Sequence, residues 1–151
     1  MKALSIKQPF ASMIANGIKT IETRTWEPLY RGPVLLCASK ALHTGTVIYK
    51  GEECEAREFI RMCERAGHQC PTGVMLCIAE LVDCRAMIKD DEEAACCQLY
   101  PFARAWEFRD IRPVEQRQVK GMLGLFEIPG SEIKTLAGIG RKSHFCNAET
   151  K

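Results

Sequence analysis

The chain contains no run of about 18 apolar residues, the length a helix needs to cross a bilayer. Its opening, Met1-Lys2-Ala3-Leu4-Ser5-Ile6-Lys7-Gln8-Pro9, holds too short an apolar stretch for a secretory leader. The expected location is therefore cytoplasmic. Histidine is scarce: His43, His68 and His144 fall in no paired pattern, so a histidine-pair nuclease has no support. No C-x-x-C pair occurs among the nine cysteines. Cys63, His68 and Cys70 form C-x4-H-x-C, with Cys54 as a further thiol, and this is not a usual structural zinc spacing. No metal and no cofactor is expected. The cysteines read as reduced thiols, mostly buried as small hydrophobes. Cys63, Cys70, Cys77 and Cys84 recur every seventh residue, but Gly67, Pro71 and Gly73 interrupt the run, so it is not one helix. Internal repeats and low-complexity segments are absent too.

What is present is a globular composition: 46% apolar and 26% charged in 151 residues. That length suits one domain with a sizeable core. The net charge of +2 is small, but its distribution is uneven. Residues 1–50 carry seven Lys or Arg against two Glu, whereas residues 51–95 carry five against eleven acids. A basic N-terminal third with an acidic far side suits an anionic ligand such as RNA or a nucleotide. The acidic block also reads as the solvated face of a helix.

The pattern of elements is β-α-β-β-α-β-(α)-β-β. Residues 3–6 form a short strand, and Phe10, Met13 and Ile14 follow at helical spacing until Gly17. A second strand spans about 20–24. An apolar third strand, 34–38, is buried on both faces. Residues 52–66 read as an amphipathic helix, 73–84 as a long strand, 89–98 as a short acidic helix, and 105–111 and 125–128 as strands. Few helices and closely following strands predict a mixed, mainly antiparallel small barrel. Residues 1–136 form the expected domain, and 137–151 a flexible tail.

One stretch carries the chemistry: Gly17-Ile18-Lys19-Thr20-Ile21-Glu22-Thr23-Arg24. Glu22 and Arg24 are two apart, so on a strand they share a face. With Lys19 they gather two cations and an anion at a strand end. Arg24 suits a phosphate or carbonyl through its fork, and Glu22 suits a base amino group or the orientation of Arg24. Lys19 suits an anion contact or a general base. Glu80 is a lone carboxylate within an apolar strand, a position suited to acid–base work. Lys7 and Gln8 stand at a strand-to-helix junction, and Ser39 and Lys40 end a strand. Trp26 and Tyr30 are aromatic residues in a polar loop and suit base stacking.

Further pieces stand in a fixed order: Leu4-Ser5-Ile6-Lys7-Gln8-Pro9-Phe10-Ala11, Gly17-x-Lys19-Thr20-x-Glu22-x-Arg24, Tyr30-Arg31-Gly32 and Ala38-Ser39-Lys40. Ala79-Glu80-Leu81-Val82-Asp83-Cys84 and Trp106…Arg112-Pro113…Lys120-Gly121-x-Leu123-Gly124-Leu125-Phe126 complete them. Together they resemble the ASCH domain, a branch of the PUA-like superfamily. The resemblance implies an α+β fold: a PUA-like small β-barrel of mixed, mainly antiparallel strands with two or three helices packed on it. It implies a cleft beside the motif strand and RNA, a nucleotide or a modified nucleoside as partner, with no membrane.

One bacterial branch of that family removes the acetyl group from N4-acetylcytidine with a Lys, a Thr and a Glu. Lys19 matches its lysine, but Glu22 stands where its threonine would be. RNA or nucleotide binding is therefore the leading expectation, with Lys7, Gln8, Lys19, Arg24, Trp26, Tyr30, Ser39 and Lys40 as ligand-binding residues. The alternative is a metal-independent amidohydrolase using Lys19, Glu22 and Glu80, and a ribonuclease ranks behind it.

Overall fold

The computed structural model describes residues 1–137. The tail expected from residue 137 onward lies outside the described residues, apart from Ala137. The elements run β1 (Lys2–Gln8), α1 (Phe10–Ala15), β2 (Ile21–Arg24), β3 (Gly32–Leu42), β4 (Thr46–Tyr49), β5 (Glu52–Glu55) and α2 (Ala56–Arg65). They continue with β6 (Val74–Ala86), a 3-10 turn at Lys89–Asp91, α3 (Glu92–Ala95), β7 (Arg104–Pro113) and β8 (Leu125–Glu127). No helix among the described residues is long and apolar enough to cross a membrane.

Six strands form one sheet in the order β2-β7-β6-β3-β1-β8. Only β1 and β3 pair in parallel; the other neighbours are antiparallel. The mixed, mainly antiparallel α+β expectation stands at that level. The closed barrel does not, because β2 and β8 lie at opposite edges of the sheet order and are not hydrogen-bonded to each other. The reason is the length of β8. It covers β1 only from Lys2 to Leu4, which leaves the edge of β1 beyond Leu4 without a strand partner on that side among the described residues.

Alternation along the strands builds a core on each face of the sheet. Val34, Leu36 and Ala38 join Leu4, Ile6, Ala79, Leu81, Trp106 and Phe108 on an inner face, closed by Ala11 and Ile14 of α1. Leu35 and Cys37 join Ala3, Met75, Ile78, Val114, Phe126 and Ile128 on an outer face, covered by Val119 and Ile133. The third strand is thus buried on both faces, as its continuous apolar run implies.

The largest departure from the sequence pattern lies at residues 46–66. The helix expected from residue 52 begins at Ala56, and the four residues before it form β5, paired with the unexpected β4. Lys50 and Gly51 both have positive φ, 51° and 77°, in the two-residue turn between them. That turn type matches the twist of a hairpin. Met13, Val47, Ala56, Phe59 and Cys63 share a separate cluster, which anchors this hairpin and α2 beside α1.

Candidate functional site

The motif begins where α1 ends. Gly17 adopts φ +76°, and its N–H and that of Ile18 close back onto the Ile14 and Met13 carbonyls at 2.9 Å each. This reversal aims Lys19 inward. Its side chain is only 1% exposed. The ammonium Nζ donates to the Ala95 carbonyl at the end of α3, stands 3.6 Å from Glu22 Oε1 and lies over the Phe10 ring, 4.7 Å from its centroid. An ammonium is costly to bury unless opposite charge and acceptors surround it, and these three groups supply them. Cys96, next to the Ala95 carbonyl, has its thiol pushed up to about 11 by burial, with Lys19 pulling the other way.

Glu22 is likewise buried and fully engaged. Oε1 accepts the Thr23 N–H at 2.9 Å and faces Lys19, while Oε2 lies 3.3 Å from Arg24 Nη2. Arg24 Nη2 also donates to the Ser5 carbonyl at 2.8 Å. That bond links β2, one edge of the sheet, to the unpaired stretch of β1 next to the other edge. Arg24 therefore spans the seam that keeps the sheet from closing. Its side chain remains 26% exposed, so of the three motif charges it is the one that meets solvent.

A second arginine stands beside Arg24. Arg24 lies directly opposite Arg104 on β7, and Glu22 lies opposite Trp106. Like charges directly opposed across strands are destabilising unless counter-charge compensates. Glu22 serves Arg24, and Glu27 serves Arg104 at 2.8 Å. Trp26 packs edge-on against Trp106 with centroids 4.7 Å apart, and the Trp106 indole donates to the Trp26 carbonyl at 3.2 Å. Trp106 is fully buried as core, whereas Trp26 is 38% exposed. Ser5 Oγ is buried with no hydrogen-bond partner among the described residues, directly beneath Gly121. Sequence reasoning left Arg104 and Gly121 out of the site, and considered Ser5 only with Lys7 and Gln8 at the strand-to-helix junction. Their signal is strand pairing and chain approach, which one sequence does not display.

Other candidates lie apart from this cluster. Glu80 is half-buried between Pro33 and Arg109 on the neighbouring strands. Its neighbours Ala79 and Leu81 point to the inner face, so Glu80 points to the outer one, away from Glu22 and Trp106. Gln8 is fully buried. Its Oε1 accepts the Ser12 N–H at 3.0 Å, and its Nε2 donates to Ser12 Oγ and the Pro71 carbonyl. It thus occupies the start of α1 itself. Tyr30 is half-buried with its hydroxyl donating to the Pro33 carbonyl at 2.8 Å, and Ser39 Oγ donates to the Ala41 carbonyl at 2.9 Å. Lys7 and Lys40 are exposed.

A cleft of about 750 Å³ lies elsewhere, between the end of α1, the turn after α2 and the end of β7. Gly17 is the one motif residue on its wall. Its wall offers Ser12, Gln69 and Gln116 but a single formal charge, Glu115, which Arg117 already meets at 3.0 Å. The placement of charge favours the seam over this cleft.

Fold and site together define an α+β domain whose curled, open sheet carries a buried Lys–Glu pair that fixes an arginine at its seam. The family model for the ASCH domain matches residues 4–122, and the chain belongs to the ASCH domain family. Among solved structures it is similar to ASCH from Zymomonas mobilis at 15% identity and a TM-score of 0.56, over 87% of this chain and 89% of that one. A tyrosine-to-phenylalanine variant of the same protein aligns with a TM-score of 0.53, 15% identity and coverage of 87% and 91%. A serine-to-alanine variant gives 0.53, 15%, 87% and 89%. At that identity the likeness is one of fold. No curated protein matches the chain.

Proposed function

We propose that this protein binds RNA or a nucleotide at the seam, with Arg24 as the principal contact and Lys19 and Glu22 as the pair that holds it. The observation that carries this reading is the state of Arg24. It is anchored by Glu22 and the Ser5 carbonyl, faces Arg104 across the strands, and stays partly open to solvent. A pre-positioned guanidinium suits a phosphate or a base carbonyl. Trp26, exposed beside it, supplies a stacking face, worth roughly 1–3 kcal/mol per base.

The observations favour binding over an amidohydrolase. A general base must come within hydrogen-bond reach of the proton it abstracts. Both Glu22 oxygens have partners, Lys19 is enclosed, and Glu80 lies on the other face.

The test is fluorescence anisotropy with a labelled single-stranded RNA, comparing the native chain with Arg24→Ala. Loss of a charge-assisted bond predicts at least about tenfold weaker binding. Equal affinity of the two proteins overturns the reading.

A further inference from the structure

The way α2 ends brings two cysteines together. The Gly67 N–H returns to the Glu64 carbonyl at 3.0 Å, and the His68 N–H to the Cys63 carbonyl at 2.9 Å. Gly67 supplies the left-handed turn that this pair of bonds requires, at φ +85°. The chain therefore doubles back over the last helical turn. Cys63 lies on the buried face of α2 with Phe59 and Ile60, and Cys70 packs against the same cluster. Cys63 is fully buried, whereas Cys70 is half-buried.

Cys70 is held in place by its neighbours. The next residue, Pro71, accepts from Gln8 Nε2 at 2.8 Å. Gln8 Nε2 also donates to Ser12 Oγ at 2.7 Å, which leaves the Ser12 hydroxyl proton for the Cys70 sulfur. The Cys63 thiol hydrogen-bonds the same sulfur.

We propose that Cys63 and Cys70 form a peroxide-responsive dithiol, a modification site separate from the seam. Cys70 meets a hydroperoxide, Cys63 resolves the product, and the resulting Cys63–Cys70 disulfide ties the turn 66–69 to α2. The Cys70 thiolate attacks one peroxide oxygen and the O–O bond breaks. Cys70 becomes a sulfenic acid, and the other oxygen leaves as water or an alcohol after taking up a proton. The Cys63 sulfur then attacks the Cys70 sulfur, the S–O bond breaks, and hydroxide departs as water with the Cys63 proton. Two thiols are oxidised and one peroxide is reduced.

Three observations carry the proposal. The two sulfurs are already hydrogen-bonded, so the second step needs no rearrangement of the turn. The half-buried member is the one placed to meet the oxidant, and the buried member is the one placed to resolve it. The two donors also hold the Cys70 thiol below its usual value, against its own burial and the Glu64 carboxylate. Burial instead pushes Cys96 up to about 11 and Cys37 and Cys77 up to about 12, which leaves them poor in thiolate. Gly67, His68, Gln69 and Pro71 line the cleft behind α1, so the bond fixes that wall of the cleft.

The test exposes the folded full chain to hydrogen peroxide, caps the remaining thiols with N-ethylmaleimide in denaturant, and maps tryptic peptides without reduction. Trypsin cuts after Arg61, Arg65 and Arg85, so Cys63 and Cys70 fall on separate peptides, 62–65 and 66–85. These two peptides are expected to appear joined, with fragmentation placing the link at Cys70 rather than Cys77 or Cys84, and dithiothreitol is expected to separate them. Cys63→Ala is expected to abolish the link and leave a Cys70 sulfenic acid that dimedone captures. Cys70→Ala is expected to leave Cys63 reduced after the same treatment. Because Cys63 is a core residue, circular dichroism checks that its variant is folded, and the map of the native chain decides the matter if it is not. A native chain in which Cys70 carries sulfenic or sulfinic acid while Cys63 stays capped overturns the proposal. So does a Cys70 linked to any other cysteine, Cys146 included, or a reduced pair at a dose that oxidises another thiol.

Discussion

Glu22 is met from three directions: it accepts a backbone N–H and the Arg24 guanidinium, and the Lys19 ammonium stands 3.6 Å away as an ion pair. Removing it strands Lys19 in a place that water does not reach. Glu22→Ala is therefore expected to lower stability by roughly 3–5 kcal/mol, the cost of breaking a buried ion pair from one side. Arg24→Ala takes one partner from Glu22 but leaves it the Thr23 N–H and Lys19, and the Arg24 side chain is itself part-solvated, so it is expected to cost clearly less. Urea unfolding of the two variants checks this, and equal losses contradict the division of labour between holding and contacting. The shared face of Glu22 and Arg24 was legible from their spacing alone. The enclosure of Lys19 was not, because its acceptor, the Ala95 carbonyl, comes from a residue 76 positions away.

The segment that supplies that carbonyl is an element with little core of its own. The 3-10 turn Lys89–Asp91 and the short α3 are tied to the sheet by Asp91. Its carboxylate takes the two Arg85 Nη groups at 2.7 and 2.8 Å and the Ile88 N–H at 2.8 Å. Arg85 also reaches Glu107 on β7 at 3.0 Å. The Arg85 guanidinium, helped by the Ile88 N–H, holds the Asp91 carboxyl below the usual range against the opposing effect of its burial. A depressed folded pKa means that the clamp contributes in full above the ordinary aspartate value, about 3.9, and is lost as pH falls through the lower folded value. Urea midpoints measured from pH 6 down to pH 2 are expected to decline in that acid window for the native chain. Asp91→Asn is expected to be less stable at pH 6 and to show a shallower decline, and parallel curves contradict the clamp.

Elements with a strong period were readable: the alternation at 105–111 and the apolar run at 34–38 both became strands in β7 and β3. The β4–β5 hairpin was not. Glu52-Glu53-Cys54-Glu55 has the acidity of a helix face, and its strand state depends on pairing with Thr46–Tyr49 and on the Ile48 N–H bond to the Cys96 carbonyl. Local propensity yields there to tertiary contact.

At the scale of the whole molecule, two cores sandwich one sheet, and the sheet stays open at β1 because β8 is short. The cysteines report on those cores. Burial pushes the Cys37 and Cys77 thiols up to about 12. Cys70 is half-buried, and hydrogen bonding from Cys63 holds its thiol below the usual value. Alkylation at pH 8 followed by peptide mapping is expected to label Cys70 well before Cys37 or Cys77, which label only on unfolding. Early labelling of Cys37 or Cys77 contradicts the double core. The two-sided burial of β3 followed from hydrophobic pattern. The open seam did not, because closure depends on how far one short strand runs along another.

The central claim is that ligand enters at the seam and not at the cleft behind α1. Chemical-shift mapping on the isotope-labelled chain, titrated with a short single-stranded RNA, tests it most directly. The account predicts that the Arg24 side-chain N–H, the Trp26 indole and the Ser5 and Gly121 amides shift together, while Gln69, Gln116 and Glu115 stay still. Shifts confined to Gln69, Gln116 and Glu115, with Arg24 and Trp26 unmoved, contradict it.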